Sequence, residues 1–507
     1  MQQLPPQDAV FLSMETQELP AHIGGLAFLN PTPGQAFSFD SFVEFIRNRL
    51  GPCERFSWQL REIPFGLDRP YWVPRENFDP AEHILQIALP APYSPEALSK
   101  LVGRLFERPL DRTRPLWEMV LIEGLPGGRH VLLWKMHHCL MDGASGASLT
   151  EQLFDPTPDA VRPAAAEFTE ADTHPVADTH PVADAHGVAD AHGVADAHGV
   201  ADAARIPGQF DQRAIVERAL RNAAELPRKQ SKYIGEALRG AFSAWQSDRE
   251  PRKASETSSL APTAPWNDIV GRYRGIAWSA VSLDQVKQVK NTMGTTVNDV
   301  VLAITSGAVR DYLDERDQLP EASLIASVPC STRIAGDKTL GNQIREFAVG
   351  WATNVEDPIE RLLQIHKSAA EAKRKADDGT SFDLIGMMSE ALLPGALQLL
   401  MLGAAAAGDK LPLPANAVVS NVPMAPFPLY CAGAHIEQVV PISLLAPTQG
   451  LNITVLSYCG ELHFGIVHDP SLVPDAWDLA GHIPKSLQQL QQGVDRELTL
   501  NSSGAEA

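Results

Sequence analysis

Two adjacent imidazoles stand at the end of an apolar run. Val131-Leu132-Leu133-Trp134-Lys135-Met136 reads as a buried strand, and His137-His138-Cys139-Leu140-Met141-Asp142-Gly143 closes it. An unperturbed imidazole titrates near neutral pH, so it can take up and return a proton under cellular conditions. Consecutive residues on a strand point to opposite faces, so one His faces a cleft and the other the packed side. Only one of them can be a general base. Asp142 is expected to pin the turn beyond the strand, and Gly143 to supply a backbone shape that a Cβ would hinder. A Ser-His-Asp hydrolase would carry a GxSxG elbow, and none surrounds the candidate serines; Gly143-Ala144-Ser145-Gly146 has the wrong spacing. A His with no companion nucleophile suits direct transfer, in which the base removes a proton from a bound hydroxyl that attacks an activated acyl carbonyl.

The elements that must hold this motif can be read on both sides of it. Ala21 to Asn30 reads as a strand, and Phe39 to Leu50 as an amphipathic helix with Phe42, Phe45, Ile46 and Leu50 on one face. His83 to Leu89 is a further strand, Pro95 to Leu110 a helix opened by its Pro, and Trp117 to Ile122 the strand before the motif. The second half repeats the alternation. Its strands are Tyr273 to Val281, Leu324 to Cys330, Glu346 to Thr353, Ala417 to Val422, His435 to Pro441, Asn452 to Tyr458 and Glu461 to Val467. Its helices are Leu283 to Met293, Val297 to Leu313, Pro358 to Lys375 and Pro474 to Leu490. At 507 residues and 44% apolar, the chain can bury a core large enough for two α/β lobes.

The lobes are separated by sequence that cannot pack. Ala171 to Val200 is five tandem hexamers, ADTHPV twice and ADAHGV three times, with Val as the only sizeable apolar residue. Such a segment reads as a disordered linker, even though it supplies five of the fifteen histidines; functional metal binding is not expected of it. The domain reading is therefore a first lobe over 1–155, a disordered linker over 156–208, a helical connector over 209–265, a second lobe over 266–495 and a disordered tail over 496–507.

Charge and cysteine usage narrow the setting. A net charge of −20 argues against nucleic acid as a partner and gives no global attraction to anionic lipid. Cys53, Cys139, Cys330, Cys431 and Cys459 are odd in number and show no CxxC spacing, as expected of reduced thiols in a cytoplasmic protein. The N-terminal residues lack the basic and apolar regions of a secretory signal. Ala391 to Gly408 carries no charge, but Pro394, Gly395, Gln398 and Gly403 interrupt it, so a buried or interfacial helix is expected there instead of a membrane span.

The His motif and the blocks around it resemble the coenzyme-A-dependent acyltransferase superfamily with the chloramphenicol-acetyltransferase-like fold. Further blocks make the resemblance closest to the bacterial wax ester synthase/acyl-CoA:diacylglycerol acyltransferase family. These are Asp8 to Leu12, Pro20 to Gly24, Arg114-Pro115-Leu116-Trp117-Glu118, Thr296 to Val300, Val328-Pro329 with Arg333, Gly341-Asn342, Ser420-Asn421-Val422-Pro423 and Leu451 to Asp469. Cys139, Ala21 and Met424-Ala425 depart from the residues usual in that family.

The resemblance implies an α+β fold of two such lobes, with mixed sheets flanked by helices and a cleft or tunnel between them. It implies an O-acyltransferase acting from acyl-CoA onto diacylglycerol or a long-chain alcohol, with no covalent acyl-enzyme. His138 would be the general base, His137 its support, and Asp142 and Gly143 the shapers of the loop. Asn298 and Asp299 would form the wall contributed by the second lobe, and Pro115-Leu116-Trp117 would be structural or line the substrate. No metal or cofactor is implied, since acyl-CoA is a co-substrate. Peripheral contact with the inner face of the plasma membrane or with lipid droplets is expected.

Overall fold

The computed structural model describes residues 2–34, 37–50, 53–141, 146, 149–150, 153–159, 221, 261–331, 342–377, 392–407 and 413–504. The hexapeptide repeats, most of the 209–265 connector, Asp142, Gly143, Arg333 and Gly341 lie outside these residues.

In chain order the strands of the first half are β1 (Gln2–Gln3), β2 (His22–Asn30), β3 (Trp58–Arg61), β4 (Tyr71–Pro74), β5 (Ile84–Ala88), β6 (Trp117–Glu123) and β7 (His130–His137). Those of the second half are β8 (Gly275–Ser282), β9 (Ile325–Ser331), β10 (Ile344–Gly350), β11 (Ala417–Pro423), β12 (Tyr430–Cys431), β13 (Ala434–Ile442), β14 (Leu451–Tyr458) and β15 (Glu461–His468). The helices used below are α1 (Pro6–Met14), α2 (Phe39–Leu50), α3 (Pro95–Phe106), α4 (Leu283–Met293), α5 (Val297–Asp314), α6 (Pro358–Asp377), α7 (Pro394–Ala407) and α8 (Ala476–Gly504).

Two six-stranded sheets frame the molecule, in the orders β12-β13-β2-β7-β6-β5 and β10-β9-β11-β14-β15-β8. Both mix parallel and antiparallel pairs: β5 runs parallel to β6 in the first, and β11 parallel to β14 in the second. A small sheet, β1-β4-β3, sits beside them. Helices flank the sheets, so the architecture is α+β, in agreement with the sequence reading.

Strand β7 is internal to its sheet, antiparallel to β2 on one side and β6 on the other. Its Val131, Leu132 and Leu133 are fully buried, contributing about 1.5–3 kcal/mol each, and that packing fixes where the strand ends. Gly24 in β2 allows the close approach of these strands, because a Cβ there would collide with the Trp134 carbonyl. Helix α2 buries Phe42, Ile46 and Leu50 as its periodicity predicts. Helix α3 begins at Ser94, whose Oγ accepts the Ala97 amide at 3.1 Å, and ends at Phe106, a turn short of the predicted Leu110.

Two boundaries differ from the sequence reading. The lobes are not consecutive pieces of chain: β12 and β13 leave the second half and complete the sheet of the first, with Ile442 opposite Gly24 and His435 opposite Asn30. The chain then returns to the second sheet at β14. Helix α8 also runs to Gly504, through most of the 496–507 segment read as a disordered tail. Its buried stripe ends near Val494 while its backbone continues, so apolar periodicity shows only where the packing stops.

Candidate active site

The end of β7 separates the two histidines sharply. His137, the last residue of β7, is fully buried, and His138, the first residue of the turn that follows, is partly exposed. The His137 backbone amide donates to the Leu116 carbonyl at 3.0 Å, and the chain turns at once, with the Leu140 amide returning to the His137 carbonyl at 2.9 Å. Leu116 and Trp117 are each 1% exposed and the Trp117 indole donates to the Phe56 carbonyl, so the Pro115-Leu116-Trp117 block works by packing the end of β7.

The His137 ring is enclosed in the core, with Nδ1 hydrogen-bonded and Nε2 turned toward a carboxylate. The Cys139 amide donates to Nδ1 at 3.1 Å, which leaves the proton of the neutral ring on Nε2. Nε2 faces the Glu15 carboxylate, 3.4 Å from Oε1. Full burial keeps this ring out of reach of a substrate hydroxyl. Cys139 is also excluded as a nucleophile, since complete burial pushes its thiol well above the ordinary range.

Glu15 is the buried anion of the site. Its Oε2 lies 2.8 Å from Nη2 of Arg112 and accepts from Nε at 2.9 Å, while Oε1 accepts the Ala21 amide at 3.2 Å. Burial alone would raise this carboxyl, but contact with His137, the Arg112 guanidinium and the Ala21 amide outweigh it and hold the group at about 2. Arg112 also donates to the Leu12 carbonyl and to Glu62.

The surroundings of His138 come from three directions. Its amide donates to the Ala21 carbonyl at 2.9 Å. Its ring stacks on Phe11 of α1, with centroids 3.9 Å apart and planes 9° from parallel. Its carbonyl accepts from Nδ2 of Asn342 at 2.8 Å. Asn342 comes from the second half of the chain and is held in turn by Asp8 of α1, whose Oδ1 accepts its backbone amide at 2.8 Å and its Nδ2 at 2.6 Å. Asp8 and Asn342 are both buried.

Asp299 is placed differently. It is the third residue of α5 and closes a capping box with Thr296: Asp299 Oδ2 accepts the Thr296 amide at 2.9 Å and hydroxyl at 2.8 Å, and Thr296 Oγ1 accepts the Asp299 amide at 3.1 Å. His366 of α6 pairs with the same oxygen at 2.7 Å. Asn298 is half-buried on the first turn of α5. Among the described residues, no hydrogen bond or ion pair joins Asn298 or Asp299 to the His motif. The second half touches the motif through Asn342 instead. Asp8, Phe11, Glu15, Arg112 and Asn342 carry no site role in the sequence reading, although the Asp8 to Leu12 and Gly341-Asn342 blocks contribute to its family resemblance.

Comparison with known proteins shows the family. The family model for the wax ester synthase/diacylglycerol acyltransferase catalytic domain matches residues 4–301, and the model for the C-terminal domain of the same family matches residues 340–491. The chain belongs to the wax ester synthase/diacylglycerol acyltransferase family. It is 30% identical to the O-acyltransferase WSD of Acinetobacter baylyi, over 97% of this chain and 98% of that protein. It is 32% identical to a Mycobacterium tuberculosis protein that carries a provisional diacylglycerol O-acyltransferase name, over 98% of this chain and 91% of the other. Its structure is similar to that of the wax ester synthase/diacylglycerol acyltransferase from Marinobacter aquaeolei VT8, with TM-score 0.65, 26% identity and coverage of 98% and 100%. The first condensation domain of the CDA synthetase shares the fold at TM-score 0.52 and 15% identity, over 97% and 96% of the two chains. The family membership makes this chain an acyltransferase.

Proposed function

We propose that the chain transfers a fatty acyl group from acyl-CoA to the hydroxyl of diacylglycerol or of a long-chain alcohol, with His138 as general base. The observation that carries this reading is the asymmetry of the His pair: both nitrogens of His137 face fixed partners in the core, while His138 stands at the partly exposed end of the strand. His138 takes the hydroxyl proton, the oxygen attacks the thioester carbonyl and the carbon–sulfur bond breaks. The imidazolium returns its proton to the departing thiolate. General-base assistance of this kind is worth roughly 10²–10⁴-fold. No acyl-enzyme forms, and the chemistry calls for no metal or prosthetic group, with acyl-CoA as co-substrate. Asp142 and Gly143 are assigned to shaping the loop beyond His138, and Asn298 to the wall of the cleft.

Greasy substrates call for a lipid surface, and we place peripheral contact at α7. Leu399, Leu400 and Leu402 of this uncharged helix are 72%, 45% and 42% exposed, and α7 packs on α1, the helix whose Phe11 stacks on His138. Its 14 residues span about 21 Å against the roughly 30 Å of a bilayer core. Among the described residues, no helix is long and apolar enough to cross a membrane.

The test is to give the purified protein labelled palmitoyl-CoA with either diolein or hexadecanol and to follow ester and free thiol together. Ester formation with stoichiometric thiol release is expected with at least one acceptor. Thioester hydrolysis without ester, or no turnover with either acceptor, would overturn the assignment.

A further inference from the structure

We infer that Glu15, clamped by Arg112, is a positioning residue for the catalytic histidine; the inference rests on the reading of His138 as base. Two routes lead from the carboxylate to the dyad. Through Oε1 it faces the Nε2–H of His137, fixing the tautomer whose Nδ1 receives the Cys139 amide and so shaping the turn that carries His138. Through the same oxygen it accepts the Ala21 amide, and the Ala21 carbonyl takes the amide of His138. One buried anion thereby fixes the ring of one histidine and the main chain of the other.

The surroundings show why an ion is needed there. The Glu15 side chain is 5% exposed, and a carboxylate so placed persists only with cationic and hydrogen-bonding partners. Arg112 supplies two contacts, and it also donates to the Leu12 carbonyl and to Glu62. His22 lies opposite His137 in the strand register, and both His22 and Lys135 feel the Glu15 charge; each is held toward its neutral form first by burial. The Lys135 ammonium is tied to the Leu105 and Arg108 carbonyls, so it does not compete for Glu15. An amide at position 15 would keep the shape but lose the anion that specifies the His137 proton.

The experiment compares wild type, Glu15→Gln, His137→Gln and the double variant in the acyl-transfer assay. Glu15→Gln is expected to lower kcat by roughly 10- to 10²-fold, with KM for acyl-CoA and acceptor changed less than about threefold. Glu15→Asp is expected to recover part of the rate. The double variant is expected to be no slower than the slower single one, because the side chain in Glu15→Gln still offers an oxygen to the Ala21 amide and loses only the route that runs through His137. Arg112 retains Glu62 in Glu15→Gln; should that variant fold poorly, Glu15→Gln/Arg112→Gln removes both charges and carries the same expectation.

A readout independent of turnover is the rate of diethylpyrocarbonate modification of His138, followed by peptide mass against pH. Loss of the anion beside the retained arginine is expected to move its midpoint to lower pH in Glu15→Gln. Wild-type kcat together with an unmoved modification midpoint, or multiplicative losses in the double variant, would overturn the inference. An inactive wild type whose His138 midpoint still moves on Glu15→Gln would refute the proposed reaction while leaving the coupling of Glu15 to His138 intact.

Discussion

The end of β7 and the start of α5 both carry a short polar block that the sequence marks for chemistry, and they use it in opposite ways. At β7 the polar groups reach across the fold: His137 to Glu15, the His138 backbone to Ala21 and Asn342, and Asn342 to Asp8. At α5 they close on their own helix, with Thr296 and Asp299 satisfying each other and, among the described residues, His366 added from α6. A motif whose hydrogen bonds are long-range is positioned by the whole fold and can present a reactive group. A motif satisfied within four residues needs nothing from the fold and gives stability.

That contrast can be broken at single residues. The largest loss among the supporting contacts is expected for Asn342→Asp, which sets a second carboxylate against Asp8 in a buried site; kcat should fall by roughly 10²-fold or more, read in the ester assay. Asn342→Ala removes the amide that joins the two halves of the chain at the His138 carbonyl, without adding charge, and should cost roughly tenfold. Asp299→Ala should leave kcat within about threefold while lowering unfolding free energy by about 1–2 kcal/mol, measured by urea titration. A large kcat loss in Asp299→Ala without loss of stability would erase the distinction between the two blocks.

Much of the fold was legible because its elements are regular and amphipathic. Phe39–Leu50 and Leu283–Met293 fall where their patterns place them, and β7 extends its apolar run by one residue at each end. The exchange of β12 and β13 into the first sheet was not legible, since strand pairing across about 400 residues leaves no mark in local periodicity. The same reason hid half of the site. Glu15, Arg112 and Asn342 are ordinary polar residues in sequence, and only their burial beside one another gives them a role. The Asp299 cap, by contrast, could be read directly, because Thr296-x-x-Asp299 before an apolar run is a helix-start signal.

The central claim is that the adjacent histidines divide the work, His138 handling the proton and His137 holding the frame. It is tested most directly by ester formation from labelled palmitoyl-CoA in His138→Ala and His137→Gln, each with its folded fraction known from circular dichroism. The account predicts a fall of roughly 10²–10⁴-fold in kcat for folded His138→Ala, and a smaller loss in His137→Gln. Undiminished ester in His138→Ala, or activity abolished in His137→Gln but kept in His138→Ala, would contradict it.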